Sequence, residues 1–115
     1  MYNKVILVGR LTKDPEFHSA ENGNRATFSL AVDRHYEIEG QQALTIFDVV
    51  AFEDKVDFIS KWFKKGMLVL IEGRLQSRAS KDREGNNRTF VEVVADKSKF
   101  AEKRKAEMSS EDNNS

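Results

Sequence analysis

Residues 43–78 read ALTIFDVVAFEDKVDFISKWFKKGMLVLIEGRLQSR, and the hydrophobic period changes twice within this stretch. Over 43–52 it is two: Ile46, Asp48, Val50 and Phe52 share one face of an extended chain, and Thr45, Phe47, Val49 and Ala51 share the other. Over 53–66 it becomes helical. Val56, Ile59 and Phe63 form one stripe, Asp54 stands where an N-cap belongs, and Lys64, Lys65 and Gly66 supply a cationic last turn and a C′ glycine. From 67 the chain is extended again, so a strand, a helix and a strand follow one another.

On the N-terminal side, NKVILVGRL (3–11) is aliphatic and β-branched, a strand in which Gly9 marks a bulge or a close backbone approach. Residues 12–24 hold the single proline, Pro15, and the turn residues Glu21 to Asn24, which predicts a loop. RATFSLAVDRHY (25–36) alternates, with Ala26, Phe28, Leu30 and Val32 on the apolar side, and EIEGQQ (37–42) forms a second loop. On the C-terminal side, residues 67–78 and NRTFVEVVAD (87–96) flank the turn-rich ASKDREGN. At ~3.3 Å per residue the first of these arms spans about 40 Å, more than a small core needs. The remainder, from Lys97, is charged or polar apart from Phe100 and Met108; it is expected not to pack, with 109–115 disordered.

Five strands with one helix between the third and fourth is the order of the OB-fold, an all-β, five-stranded Greek-key barrel. The expected domain is 1–100, followed by a polar tail over 101–115. A chain of 115 residues supports one core. The longest apolar run, MLVLI at 67–71, is too short to span a bilayer, and the N-terminus lacks the form of a secretory signal. The absence of cysteine excludes disulfides and thiolate metal sites and fits the cytoplasm.

Nineteen basic residues balance nineteen acidic ones, so any cationic surface must be local. Catalysis finds little support: His18 and His35 occupy a loop and a strand end, the carboxylates are dispersed, and no phosphate-cradling glycine loop is present. Neither a metal site nor a cofactor site is expected. Nucleic-acid binding has better material. Arg10, Arg34, Arg74, Arg78 and Arg88 lie in or at the ends of strands, where packing alone favours Thr, Val or Tyr. Tyr36, Phe52 and Phe90 are interleaved with them, the combination that stacks bases and pairs phosphates. Trp62 lies beside the helix stripe and is expected to pack against the core.

The stretches NKVILVGRLTKDPE (3–16), FSLAVDR (28–34), FKKG (63–66), IEGRLQSR (71–78) and VEVVA (91–95), in this order, resemble the bacterial or phage-encoded single-stranded DNA-binding proteins. The resemblance covers residues 1 to about 100. It implies a non-enzymatic, nucleoid-associated protein, usually a homotetramer, that coats single-stranded DNA without sequence preference in replication, recombination and repair, or in competence or phage DNA metabolism. It places stacking at Tyr36, Ile46, Phe52 and Ser80, and basic contacts at Lys4, Arg78 and Arg88. Ile46 and Ser80 lack rings, so weaker stacking and a larger electrostatic share are expected, with a steep loss of affinity in salt. Where family members end in an acidic Pro-Phe tip this chain ends SSEDNNS, the short form, for which recruitment of partner proteins through the tail is not expected. The rival reading is an OB-fold accessory protein of a primosome or an RNA-binding module.

Overall fold

The computed structural model describes residues 2–21, 23–33 and 44–102. These form β1 (Val5–Leu11), β2 (Glu16–Ala20), β3 (Gly23–Asp33), β4 (Leu44–Phe52), α1 (Lys55–Trp62), β5 (Leu68–Lys81) and β6 (Asn87–Phe100). The sheet runs β1-β5-β6-β4-β3-β2, and β1 also pairs with β3. Five strands therefore close into a ring, and β2 is attached outside it along β3. The helix connects the third and fourth strands of that ring, as expected.

Two glycines make the closure sterically possible. A Cβ on Gly9 would stand 2.6 Å from the carbonyl oxygen of Ala31, so the crossing of β1 over β3 requires a residue without one. Gly73 lies at the register shift between β5 and β6, where a Cβ would fall onto the carbonyl oxygen of Val94. Inside the ring, Leu7 and Leu11 of β1, Ala26, Phe28 and Leu30 of β3, Val49 and Ala51 of β4, Val69 and Ile71 of β5, and Val93 and Ala95 of β6 form the core.

The helix closes one end of this core. Eight residues make a marginal helix in isolation, so its stability comes from Val56, Ile59 and Phe63, all buried as the stripe predicts. Phe63 meets Phe28 and Phe58 edge-on, each at 5.7 Å between ring centroids. Trp62 packs at this end against Phe100, at 6.3 Å, in agreement with its core assignment.

Several local expectations are corrected. The region 12–24 is not all loop, because Glu16–Ala20 pairs antiparallel with β3 from Glu16↔Thr27 to Ala20↔Gly23. Every residue of β2 is exposed, so backbone pairing rather than burial creates it. Asp54 occupies the N-cap without a side-chain capping bond, and the helix ends at Trp62 with Phe63 already extended. Gly66 is consequently no C′ residue; at φ 86 it forms a turn whose amide donates to the carbonyl of Leu11 at 2.8 Å. The stretch after Lys97 does pack as far as the described chain runs: β6 continues to Phe100, which contacts Phe58, Trp62 and Phe63. The Ala101 amide then donates to Leu68 O. The tail from 103 onward lies outside the described residues.

Candidate nucleic-acid interface

Residues paired across neighbouring strands project to the same face, so the core positions determine what faces outward. On β3, Ala26, Phe28 and Leu30 point in, which turns Arg25, Thr27, Ser29 and Ala31 out. The register carries this to β4, as Arg25↔Phe52, Thr27↔Val50, Ser29↔Asp48 and Ala31↔Ile46. β6 lies parallel to β4 through Val50↔Val94, and β5 continues the face through Arg74↔Val94, Gln76↔Glu92, Arg78↔Phe90 and Ser80↔Arg88. Ile46, Phe52, Arg74, Arg78, Arg88 and Phe90 thus share one curved outer surface. The β5–β6 hairpin extends it well past the core.

Within that surface the residues expected to bind fall into groups. Arg78 lies over the Phe90 ring, 5.3 Å from its centroid, a cation–π pair at the base of the projecting arm. Ile46 borders a shallow groove of about 280 Å³ that turns the edge of this surface onto Leu75 and Val91, both exposed on the opposite face of the hairpin. Phe47 cannot take its place: β3 and β4 pair without interruption around it, and it packs against the core. Phe52 ends β4, 39% exposed, at a separate cavity of about 360 Å³. Arg10 reaches the carbonyl of Gly66 at 2.9 Å, while Lys4 gathers with Arg74 and Lys97 around Glu72 and Asp96. Arg34 and Tyr36 lie outside the described residues.

Each described cation of the expected set has a carboxylate beside it. Lys4 pairs with Glu72 at 2.8 Å, Arg10 with Glu102 at 3.4 Å, Arg74 with Asp96 at 3.0 Å, Arg78 with Glu92 at 3.6 Å and Arg88 with Asp82 at 2.9 Å. These pairs are the local form of the zero net charge. The hydrogen bond from Lys4 holds the Glu72 carboxyl below the usual range and raises the Lys4 ammonium above its own. At the hairpin tip, Asp82 accepts from the Arg88 guanidinium and from the amides of Glu84 and Asn86, and these bonds lower its pKa. Arg88 therefore braces the turn as well as presenting charge.

Asp48, held by the Ser29 hydroxyl at 2.9 Å, and Glu92, held by Gln76 at 2.9 Å, place two carboxylates near the middle of the face. The alternation of residues 43–52 already put Asp48 between Ile46 and Phe52, which was the available signal. Glu92 was visible only as one acid among many. Among the described residues, no group of three or more His, Asp or Glu stands close enough to hold a metal ion, and no helix is long and apolar enough to cross a membrane.

The family model described as the single-strand binding protein family matches residues 2–101. The single-stranded DNA-binding protein 2 of Staphylococcus aureus strain COL is 41% identical over 104 residues, covering 89% of this chain and 75% of the relative. The protein of the same name from Clostridium acetobutylicum is 41% identical over 102 residues, covering 87% and 77%. Among solved structures, the chain superposes with TM-score 0.76 on a structure described as Plasmodium falciparum SSB complex with ssDNA. That match covers 89% of this chain and 96% of the other at 24% identity, and it shows a shared fold.

Proposed function

The chain belongs to the single-strand binding protein family, and from that premise we propose that it binds and coats single-stranded DNA without sequence preference and performs no catalysis. The observation that carries this reading is the outer face of β3, β4 and the β5–β6 hairpin, where exposed rings and arginines occupy adjacent rows. Bases stack on Phe52 and Phe90 and lie against Ile46, with Tyr36 contributing from outside the described residues. Phosphates pair with Lys4, Arg10, Arg74, Arg78 and Arg88, and with Arg34. Stacking tolerates any base because every base has a π face, which is the physical basis of sequence-independent coating.

The binding domain is the unit over 1–100, and its work is the protection of single strands exposed in the cytoplasm during replication, recombination and repair. The protein acts as a homo-oligomer, with a tetramer expected. Ile6 and Val8 support self-association, since they stand 59% and 44% exposed on the outward face of β1, where a monomer gains nothing from apolar side chains. Titration of the chain with a fluorescent dT oligomer, with duplex DNA and with a single-stranded RNA of equal length tests the reading. Preference for the dT oligomer over both competitors is expected. Equal affinity for the RNA would favour an RNA-binding or primosomal accessory role.

A further inference from the structure

The strand that the sequence conceals, β2, brings His18 opposite Arg25, and β3 brings Arg25 opposite Phe52. The three side chains therefore form one row across three adjacent strands, ~4.8 Å apart from strand to strand, on the same outward face as Ile46, Asp48 and Val50. They line the cavity of about 360 Å³ at the end of β4, together with Asn24 and Glu53. From this geometry we infer a nucleotide subsite: one base stacks on Phe52, its phosphate is held by Arg25, and His18 extends the track onto β2. The inference rests on the single-stranded DNA reading and assigns two residues, His18 and Arg25, that the expected contact set lacks.

Two features single out Arg25. It is exposed, and it makes no hydrogen bond or ion pair among the described residues, whereas Lys4, Arg10, Arg74, Arg78 and Arg88 each face a carboxylate. Glu53 lines the same cavity but forms no ion pair with this guanidinium, so an incoming phosphate has no existing bond to break at Arg25, and an exposed charge next to a stacking ring is the arrangement that single-strand grooves use. The second feature is the rigidity of the cavity's edge. Glu53, directly after Phe52, is held in the left-handed region at φ 56, and its amide donates to the Asn24 carbonyl at 3.1 Å. That bond ties the end of β4 to the start of β3 and fixes the direction in which the Phe52 ring leaves the sheet. Continuity with the rest of the face is direct, since Ile46 lies about 20 Å away along the same side of β4.

The test uses the full chain with Arg25→Ala and Arg25→Lys, measuring affinity for a long dT oligomer across a range of salt concentrations. Arg25→Ala is expected to bind roughly tenfold more weakly, as for the loss of a charge-assisted contact, with its log K against log salt slope reduced by about 0.7. Arg25→Lys is expected to recover the slope and only part of the affinity, because it keeps the charge without the fork. Normal DNA binding by the unaltered chain with an Arg25→Ala variant of identical affinity and slope would overturn the subsite and leave the general reading standing. Failure of the unaltered chain to bind single-stranded DNA would overturn both.

Discussion

Replacing Glu92 by glutamine should make the protein bind single-stranded DNA more tightly. Glu92 accepts a hydrogen bond from Gln76 at 2.9 Å and faces the Arg78 guanidinium at 3.6 Å. Its side chain is 13% exposed against 52% for Arg78, so the carboxylate is held in place while the arginine remains open to an incoming phosphate. The phosphate must share the Arg78 guanidinium with Glu92, whose negative charge repels it. An ion pair of this exposed kind is worth about 0.5–1 kcal/mol, with salt screening already included in that range. Removing the competitor is thus expected to raise affinity roughly two- to fivefold, since about 1.4 kcal/mol corresponds to a factor of ten. The side-chain carbonyl introduced by Glu92→Gln would still accept from Gln76, so the fold should be unaffected. Fluorescence anisotropy of a labelled dT oligomer at several salt concentrations supplies the assay, on the wild type, Glu92→Gln, Arg78→Ala and the double variant. Arg78→Ala is expected to lower the salt slope by about 0.7, the loss of one phosphate contact. In its background the gain from Glu92→Gln should vanish. Binding unchanged or weakened by Glu92→Gln would refute the competition argument, and a gain that survives in the double variant would show that Glu92 acts without Arg78.

Phe52→Ala should weaken binding by about 1–3 kcal/mol with the thermal transition nearly intact, because the ring is exposed at a strand end; loss of the fold would show that the ring is a core element. Trp62 packs against Phe100 at the helix end of the core, so its emission should change little when poly(dT) saturates the protein, whereas deep quenching would move the DNA path onto the helix. The lowered pKa of Asp82 makes the hairpin tip acid-sensitive: a carboxyl depressed on folding stabilises fully above its ordinary value near 3.8 and loses that effect as the pH falls through the lowered one. Protection of the Glu84 and Asn86 amides, taken relative to the unstructured exchange rate at the same pH, should therefore fall at the acid end, and Asp82→Asn should show weakened protection already at neutral pH and remove that acid dependence.

The paired carboxylates also bear on salt dependence. Two ringless stacking positions argued for a steep salt response, yet every described cation of that set already has an intramolecular anion. Such anions stay at the same local concentration whatever the buffer and weaken only by screening, so they compete with phosphate most strongly at low salt. The salt slope then reports how many pairs open, and the Glu92 series measures one of them.

Periodicity was sufficient where burial decides conformation. The faces of β3 and β4 and the Val56, Ile59 and Phe63 stripe followed from alternation and helical spacing, because one side of each element is apolar. β2 left no such trace, as all five of its residues are exposed and its existence depends on the amides and carbonyls of β3. The packing of Phe100 is invisible in the sequence for the opposite reason. A single apolar residue in a charged stretch has no period, and its partners Phe58, Trp62 and Phe63 lie far back along the chain.

Local residue order determined the five strands of the ring, the helix, the outward set that includes Ile46 and Phe52, and the motifs shared with the single-strand binding family. Strand pairing assigned most charges their neighbours and each ring its setting. It set Arg78 over Phe90 and against Glu92, left Arg25 beside Phe52 with no ion-pair partner among the described residues, and turned Arg88 into the brace of a turn. The physical reason is range: side-chain alternation is dictated by adjacent residues, whereas a charge is neutralised by whichever partner the register brings within about 4 Å, and cross-strand register is a property of the paired strands.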